Sequence, residues 1–190
     1  TVTMRKLPVI LGLLLFLCVF FPACEVENCP PNSMSYAHFA LVDQNGRSFS
    51  TSDTITVVGQ TLVGIVVYDT LTDGSLQPRT VDSLVSDTFI NREAGASSFK
   101  LPLSYNNSTR FVLSYRSLEN RFSGTDTINI SHRNIPYFIN LDCGSMMFYE
   151  VTGVTSTHHR LDSLTITNPN IDNNEKENFK IYFTVIASDE

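Results

Sequence analysis

Apolar residues recur at every second position through much of this chain, which is the spacing of strands that set one face on a core. Phe99, Leu101 and Leu103 share one parity, as do Phe111, Leu113 and Tyr115, then Ile128 and Ile130, then Phe179, Ile181, Phe183 and Val185. Tyr36 to Val42, Thr54 to Val58, Val81 to Ile90, Met146 to Val151 and Leu164 to Ile166 add strands of less regular pattern. Leu62 to Tyr68 is apolar on both parities, which predicts a strand buried on both faces. Ile139, Leu141 and Cys143 share a parity, so the cysteine is expected to point into the core beside the two aliphatics.

Turn chemistry separates these runs at Asn45-Gly46, Asp73-Gly74, Asn106-Asn107, Ser123-Gly124 and Asn168-Pro169-Asn170. Pro102 implies an edge strand or a bulge. Outside the N-terminal apolar run no stretch sustains a 3.6-residue period, and Leu118 to Phe122 allows one turn of helix at most. Roughly nine to eleven short strands with regular turn signals predict an all-β, antiparallel β-sandwich, immunoglobulin-like in outline. A closed barrel is the alternative. The chain has no tryptophan, so the ring that commonly packs beside an inter-sheet bridge is absent.

The start of the chain changes the picture from fold to address. Met4-Arg5-Lys6 precedes an apolar run from Leu7 to Phe21, and Pro22-Ala23-Cys24 follows. Two cations, an apolar run and a small residue before cysteine read as a bacterial secretory signal ending in a lipobox. The run is shorter than the roughly 18 residues that a membrane-crossing helix requires. Residues 1–23 are therefore expected to be a signal peptide, 24–33 a tether lipidated at Cys24, and 34–190 the β-sandwich domain. Phe21 and Pro22 depart from the usual lipobox pattern, and the competing reading is a membrane helix that is never cut. The lipid implies a cell-envelope protein on the membrane, with the outer membrane expected.

Charge and cysteines narrow this further. Removing Arg5 and Lys6 from the chain of formal charge −6 leaves 11 cations and 19 acids, a net of −8. Such a body offers no cationic face for nucleic acid or anionic lipid heads. Of four cysteines, Cys18 leaves with the signal and Cys24 takes the lipid, so Cys29 and Cys143 remain as a pair in an oxidising compartment. A bridge between them is expected. Two free thiols, one in the tether and one in the core, are the alternative.

The order Cys143-Gly144, Phe148-Tyr149, His159, Leu164-Thr165-Ile166, Asn168 and Asn178-Phe179-Lys180-Ile181-Tyr182-Phe183 resembles an uncharacterised family of small Bacteroidetes envelope lipoproteins, a domain of unknown function. The lipidated cysteine, Cys29 close behind it and Leu101-Pro102-Leu103 resemble the same family. Ser145 departs from it, standing where a large apolar residue is expected. The resemblance implies an address and a fold, and no catalytic residues.

The residues themselves offer little chemistry. There is no G-x-S-x-G, H-E-x-x-H, C-x-x-C or phosphate-cradling glycine loop. His158 and His159 are adjacent and would face opposite sides of a strand; in a loop with Asp162 they would hold a metal weakly. Asp43 to Gly46 and Asp69 to Thr80 fail the calcium-loop pattern, and Asp172 to Glu175 offers oxygens but reads first as a turn. Neither metal nor cofactor is expected. Asp followed by Ser or Thr and an aliphatic residue recurs with acceptors Thr54, Thr70, Ser83, Thr127 and Ser163, resembling the O-glycosylation triplet of exported Bacteroidetes proteins. Turn chemistry accounts for the same residues. The expected function is a non-catalytic binding or scaffolding module held to the membrane by its N-terminal lipid, with another envelope protein or a glycan as partner. A hydrolase of envelope glycan or peptide is the alternative.

Overall fold

The computed structural model describes residues 29–30, 34–51, 53–117 and 123–184. Cys24 with its signal, the helical turn considered within 118–122, and Val185 lie outside the described residues. Ten strands run in chain order: β1 (Tyr36–Asp43), β2 (Thr54–Thr70), β3 (Leu76–Glu93), β4 (Ser98–Pro102), β5 (Ser108–Arg116), β6 (Ser123–Asn140), β7 (Gly144–Ser156), β8 (Ser163–Ile166), β9 (Asn170–Ile171) and β10 (Phe179–Phe183).

These strands form two open sheets in the orders β4-β1-β10-β8 and β3-β2-β5-β6-β7-β9. The protein is a β-sandwich and not a closed barrel. β1 pairs parallel with β10, and every other ladder is antiparallel. Pro102 ends β4, an edge strand, as the proline rule requires. Gly46 and Gly74 take φ of 76° and 82° in their turns, a region open to glycine at no steric cost.

The period-two residues meet between the sheets. Phe39 stacks on Phe179 and Phe99 at ring separations of 4.7 and 5.1 Å and meets Phe111 edge-on at 6.1 Å. Ile55, Leu101, Leu113, Ile128, Ile130 and Ile181 are wholly buried around them.

Two buried polar residues fix the crossings between sheets. Asp126 accepts hydrogen bonds from the Thr157 hydroxyl at 2.8 Å and from the amides of His159, Arg160 and Leu161 at 2.7, 2.8 and 3.0 Å. That grip brings the β7–β8 connection inward and sets Leu161 in the core. Burial pushes the Asp126 carboxyl up, but these donors outweigh it and hold the group below the ordinary carboxylate range. Asn178 exchanges backbone and side-chain bonds with His38 and donates its amide to Asn168 and Asn170 carbonyls at 3.1 and 3.0 Å.

The lengths of the strands are unequal, and this inequality shapes the molecule. β5 begins at Ser108, opposite Ser131 of β6, while its ladder with β2 reaches only Gln60. β2 continues to Thr70 and β6 to Asn140. Each therefore runs on for about 30 Å past the end of β5, at a rise of roughly 3.3 Å per residue. The strands of the smaller sheet are short, from 4 to 8 residues.

Candidate functional site, a two-armed end of the larger sheet

Two hairpins, β2–β3 and β6–β7, project from the same end of the six-stranded sheet, since β2 and β6 both run antiparallel to β5. Leu62 to Tyr68, expected to be buried on both faces, lies in the first of them and is exposed on both. Leu62 and Val66 are 56% and 57% exposed on one face, and Ile65 is 43% exposed on the other. The reason is architectural. An apolar run on both parities needs a layer above and below, and the smaller sheet stops before this level. β2 carries Ile55 and Val57 in the core, and the same parity continues as Val63 and Ile65 after the opposing sheet has run out.

The second arm corrects the expectation for Cys143. β6 ends at Asn140 and residues 141–143 form the turn, so the parity of Ile139 does not carry through. The Asn140 side-chain oxygen accepts from the amides of Asp142 and Cys143 at 3.1 and 2.6 Å, which closes the turn. Leu141 is 92% exposed and Cys143 sits at the tip rather than in the core. There it is bridged to Cys29, with Cα atoms 5.3 Å apart and a sequence separation of 114.

A polar clamp, buried at Thr109 and His132, ties the bases of the two arms together. Ser104 to Asn107 fills the place where β5 stops. Asn106 donates its amide to the Thr61 hydroxyl and the Leu62 carbonyl at 2.9 and 2.8 Å, and so binds the loop to the first arm. Asn134 donates to the Tyr105 carbonyl at 2.6 Å and the His132 amide donates to Asn107 at 2.9 Å, binding it to the second. Behind them His132 Nδ1 lies 2.8 Å from the Asn134 side-chain oxygen and Nε2 lies 2.9 Å from the Thr109 hydroxyl. Since Asn134 Oδ1 only accepts, the proton sits on Nδ1, and the Thr109 hydroxyl donates to Nε2. Burial holds His132 below its ordinary range, against the bond to Asn134, so the imidazole is neutral. Tyr149 packs edge-on to it at 5.2 Å and donates to the Leu103 carbonyl; burial, helped by Tyr105, pushes its hydroxyl up to about 12.

Hydroxyl, imidazole and amide stand in the order that nucleophilic catalysis uses. Their surroundings exclude that use. Thr109 is only 4% exposed, and its oxygen already accepts the Ser104 amide at 2.8 Å. The array is a clamp, and the sequence hid it because Thr109 lies 23 residues along the chain from His132. A recess of about 570 Å³ on the outer face, lined by Leu62, Leu84, Asn106, Arg110 and Asn129, and one of about 150 Å³ on the core face, lined by Val85, Phe89 and Leu103, flank the clamp.

The other sequence-predicted residues are scattered. Thr54 and Ser163 begin strands, Thr70 ends one, and Ser83 and Thr127 lie within strands rather than at junctions. Thr54 donates its hydroxyl to the Arg116 carbonyl at 3.2 Å. His159 leans on Asp126 through its amide and ring, and among the described residues no three His, Cys, Asp or Glu side chains gather to hold a metal ion. Asp43, Asp73 and Asp172 bond amides two residues ahead, as turn residues do.

A family model, the family of unknown function DUF6452, matches residues 79–183, more than half of the chain. The chain belongs to DUF6452. The match runs from within β3 to the end of β10, so the DUF6452 region holds the β6–β7 arm, Asp126, Asn178 and all three members of the clamp. No curated protein and no solved structure matches the chain.

Proposed function

We propose that this protein is a lipid-anchored envelope lipoprotein of the Bacteroidetes type, lipidated at Cys24, that serves as a non-catalytic binding or scaffolding module with the two-armed end as its working surface. One observation carries the reading: the β2–β3 arm exposes Leu62, Ile65, Val66, Tyr68 and Leu84 on its two faces. Large apolar side chains left uncovered on both faces of one hairpin, on an otherwise acidic body, mark a place of contact. The clamp supports the same reading, because it gives the arms a rigid base.

The tether adds a direction. Cys29 is held at the tip of the β6–β7 arm, and Cys24 lies five residues before it, a reach of at most about 17 Å. A lipid on Cys24 sets that tip beside the bilayer, that of the outer membrane in this reading. The arms then open toward partners at the membrane surface, another envelope protein or a glycan.

Two measurements test this. Cys24→Ala is expected to abolish incorporation of labelled palmitate; continued labelling refutes the anchor. A photo-crosslinking residue at Val66, in the full chain in its native envelope, is expected to trap a partner that the same residue at Asn45, in the turn at the far end of the sandwich, does not. Equal labelling from both positions refutes the working surface.

A further inference from the structure

We propose that the free edge of β3 pairs antiparallel with the same edge of a second copy of this chain, about a two-fold axis through Ser83. The inference goes beyond the reading above and does not rest on the lipid anchor.

The available amides follow from the turn. Leu71 N–H donates to the Ser75 carbonyl at 2.8 Å, and the ladder keeps one register from Thr70 opposite Leu76 to Val58 opposite Thr88. Antiparallel ladders alternate bonded and non-bonded pairs. The odd-numbered residues of β3 therefore turn their amides to β2, and the even-numbered ones turn theirs outward. Pro78 is even, so its missing N–H costs the hairpin nothing. Among the described residues no strand pairs with this outer edge.

A second copy must meet even residue with even residue, which places the axis on a residue. Among centres from Thr80 to Ser86, only Ser83 sets Arg79 directly opposite Asp87 of the second copy, and symmetry makes two such pairs. The same register faces Val81 with Val85, Thr80 with Ser86 and Asp82 with Leu84, with no like charges opposed. A centre at Asp82 would set two carboxylates against each other. Opposite charges and β-branched residues directly across a ladder are the pairs that stabilise it. A two-stranded ribbon is marginal in water, whereas the joined arms make a four-stranded sheet. Val81 and Val85 of both copies then extend the Val63–Ile65 face into one apolar platform.

The test uses the full chain in cells. Across the axis the two Ser83 side chains form a non-hydrogen-bonded pair, with Cβ atoms roughly 4.5–5.5 Å apart. Ser83→Cys is expected to give a disulfide-linked species of twice the mass of the reduced chain on non-reducing gels. Ser86→Cys, whose two copies would lie about 20 Å apart, is expected to stay single. In the Ser83→Cys chain, Arg79→Asp and Asp87→Arg are each expected to cut the linked fraction at least tenfold, and both together to restore it. Linking from Ser86→Cys as strong as from Ser83→Cys overturns the register. Failure of the double swap to restore linking, with the Cys29–Cys143 bridge intact as proof of folding, overturns the charge pairing on which the axis rests.

Discussion

A single buried carboxylate does much of the organising at the residue scale. Asp126 is wholly buried and satisfies four donors from one connection, so no other side chain at that position serves them all. Asp126→Asn keeps one acceptor and turns an amide toward two donors. It should cost on the order of 2–4 kcal/mol in urea unfolding, since each unsatisfied buried group costs about 1–3 kcal/mol. A loss below about 0.5 kcal/mol would show that the connection holds itself. The titrations act in sequence. His132 and His38 are both held below their ordinary 6.5, burial being the main cause, so their stabilising effect is complete above that pH and is lost as pH falls below it. Asp126 is held below 3.8, so its contribution is present above that value and disappears only in stronger acid. Thermal melting should therefore weaken first as the pH falls below 6.5, and His132→Gln should flatten that limb while leaving the one below 3.8. An unchanged slope in the variant would remove His132 from the account.

Elements differ in what holds them. β5, β1 and β10 are fixed by burial, whereas the outer β2–β3 arm is held by its own ladder and by the clamp. Replacing Leu62, Val66 and Tyr68 with threonine should therefore change stability by less than about 1.5 kcal/mol in total, because exposed substitutions usually stay within about 0.5 kcal/mol each. With the photo-crosslinking residue moved to Ile65 of the same arm, this variant should lose crosslinking to partners. A large loss of stability with crosslinking intact would make the arm a structural element. This arm also marks the limit of what the sequence carries. The strands with one apolar parity, such as Phe111-Leu113-Tyr115, were legible, because one sheet face and one core account for them. Leu62 to Tyr68 was legible as a strand but not in its surroundings, since an apolar run reads alike whether its own fold or another molecule covers it. Cys143 was misplaced for a different reason: period two holds only while the strand lasts, and Asn140 ends it.

The Cys29–Cys143 bridge acts at the scale of the whole molecule. It was expected from compartment and number alone; the structure adds that it joins the segment ahead of β1 to the tip of an arm, outside the core. A tip bridge contributes little packing, so its effect falls mainly on the unfolded chain. Closing a loop with a sequence separation of 114 is worth about 4–5 kcal/mol in the chain-entropy model. For a domain of this size that corresponds to a melting shift of about 10 °C, at roughly 2–4 °C per kcal/mol. Cys29→Ser with Cys143→Ser should lower the melting temperature by that amount. Hydrogen exchange around Phe39, Phe111 and Phe179 should keep its native pattern at low temperature, since none of these rings touches the bridge. A shift below about 2 °C would mean that the unfolded chain is already compact over this span. Lost protection at the three phenylalanines would mean that the arm, and not the sandwich alone, holds the core together.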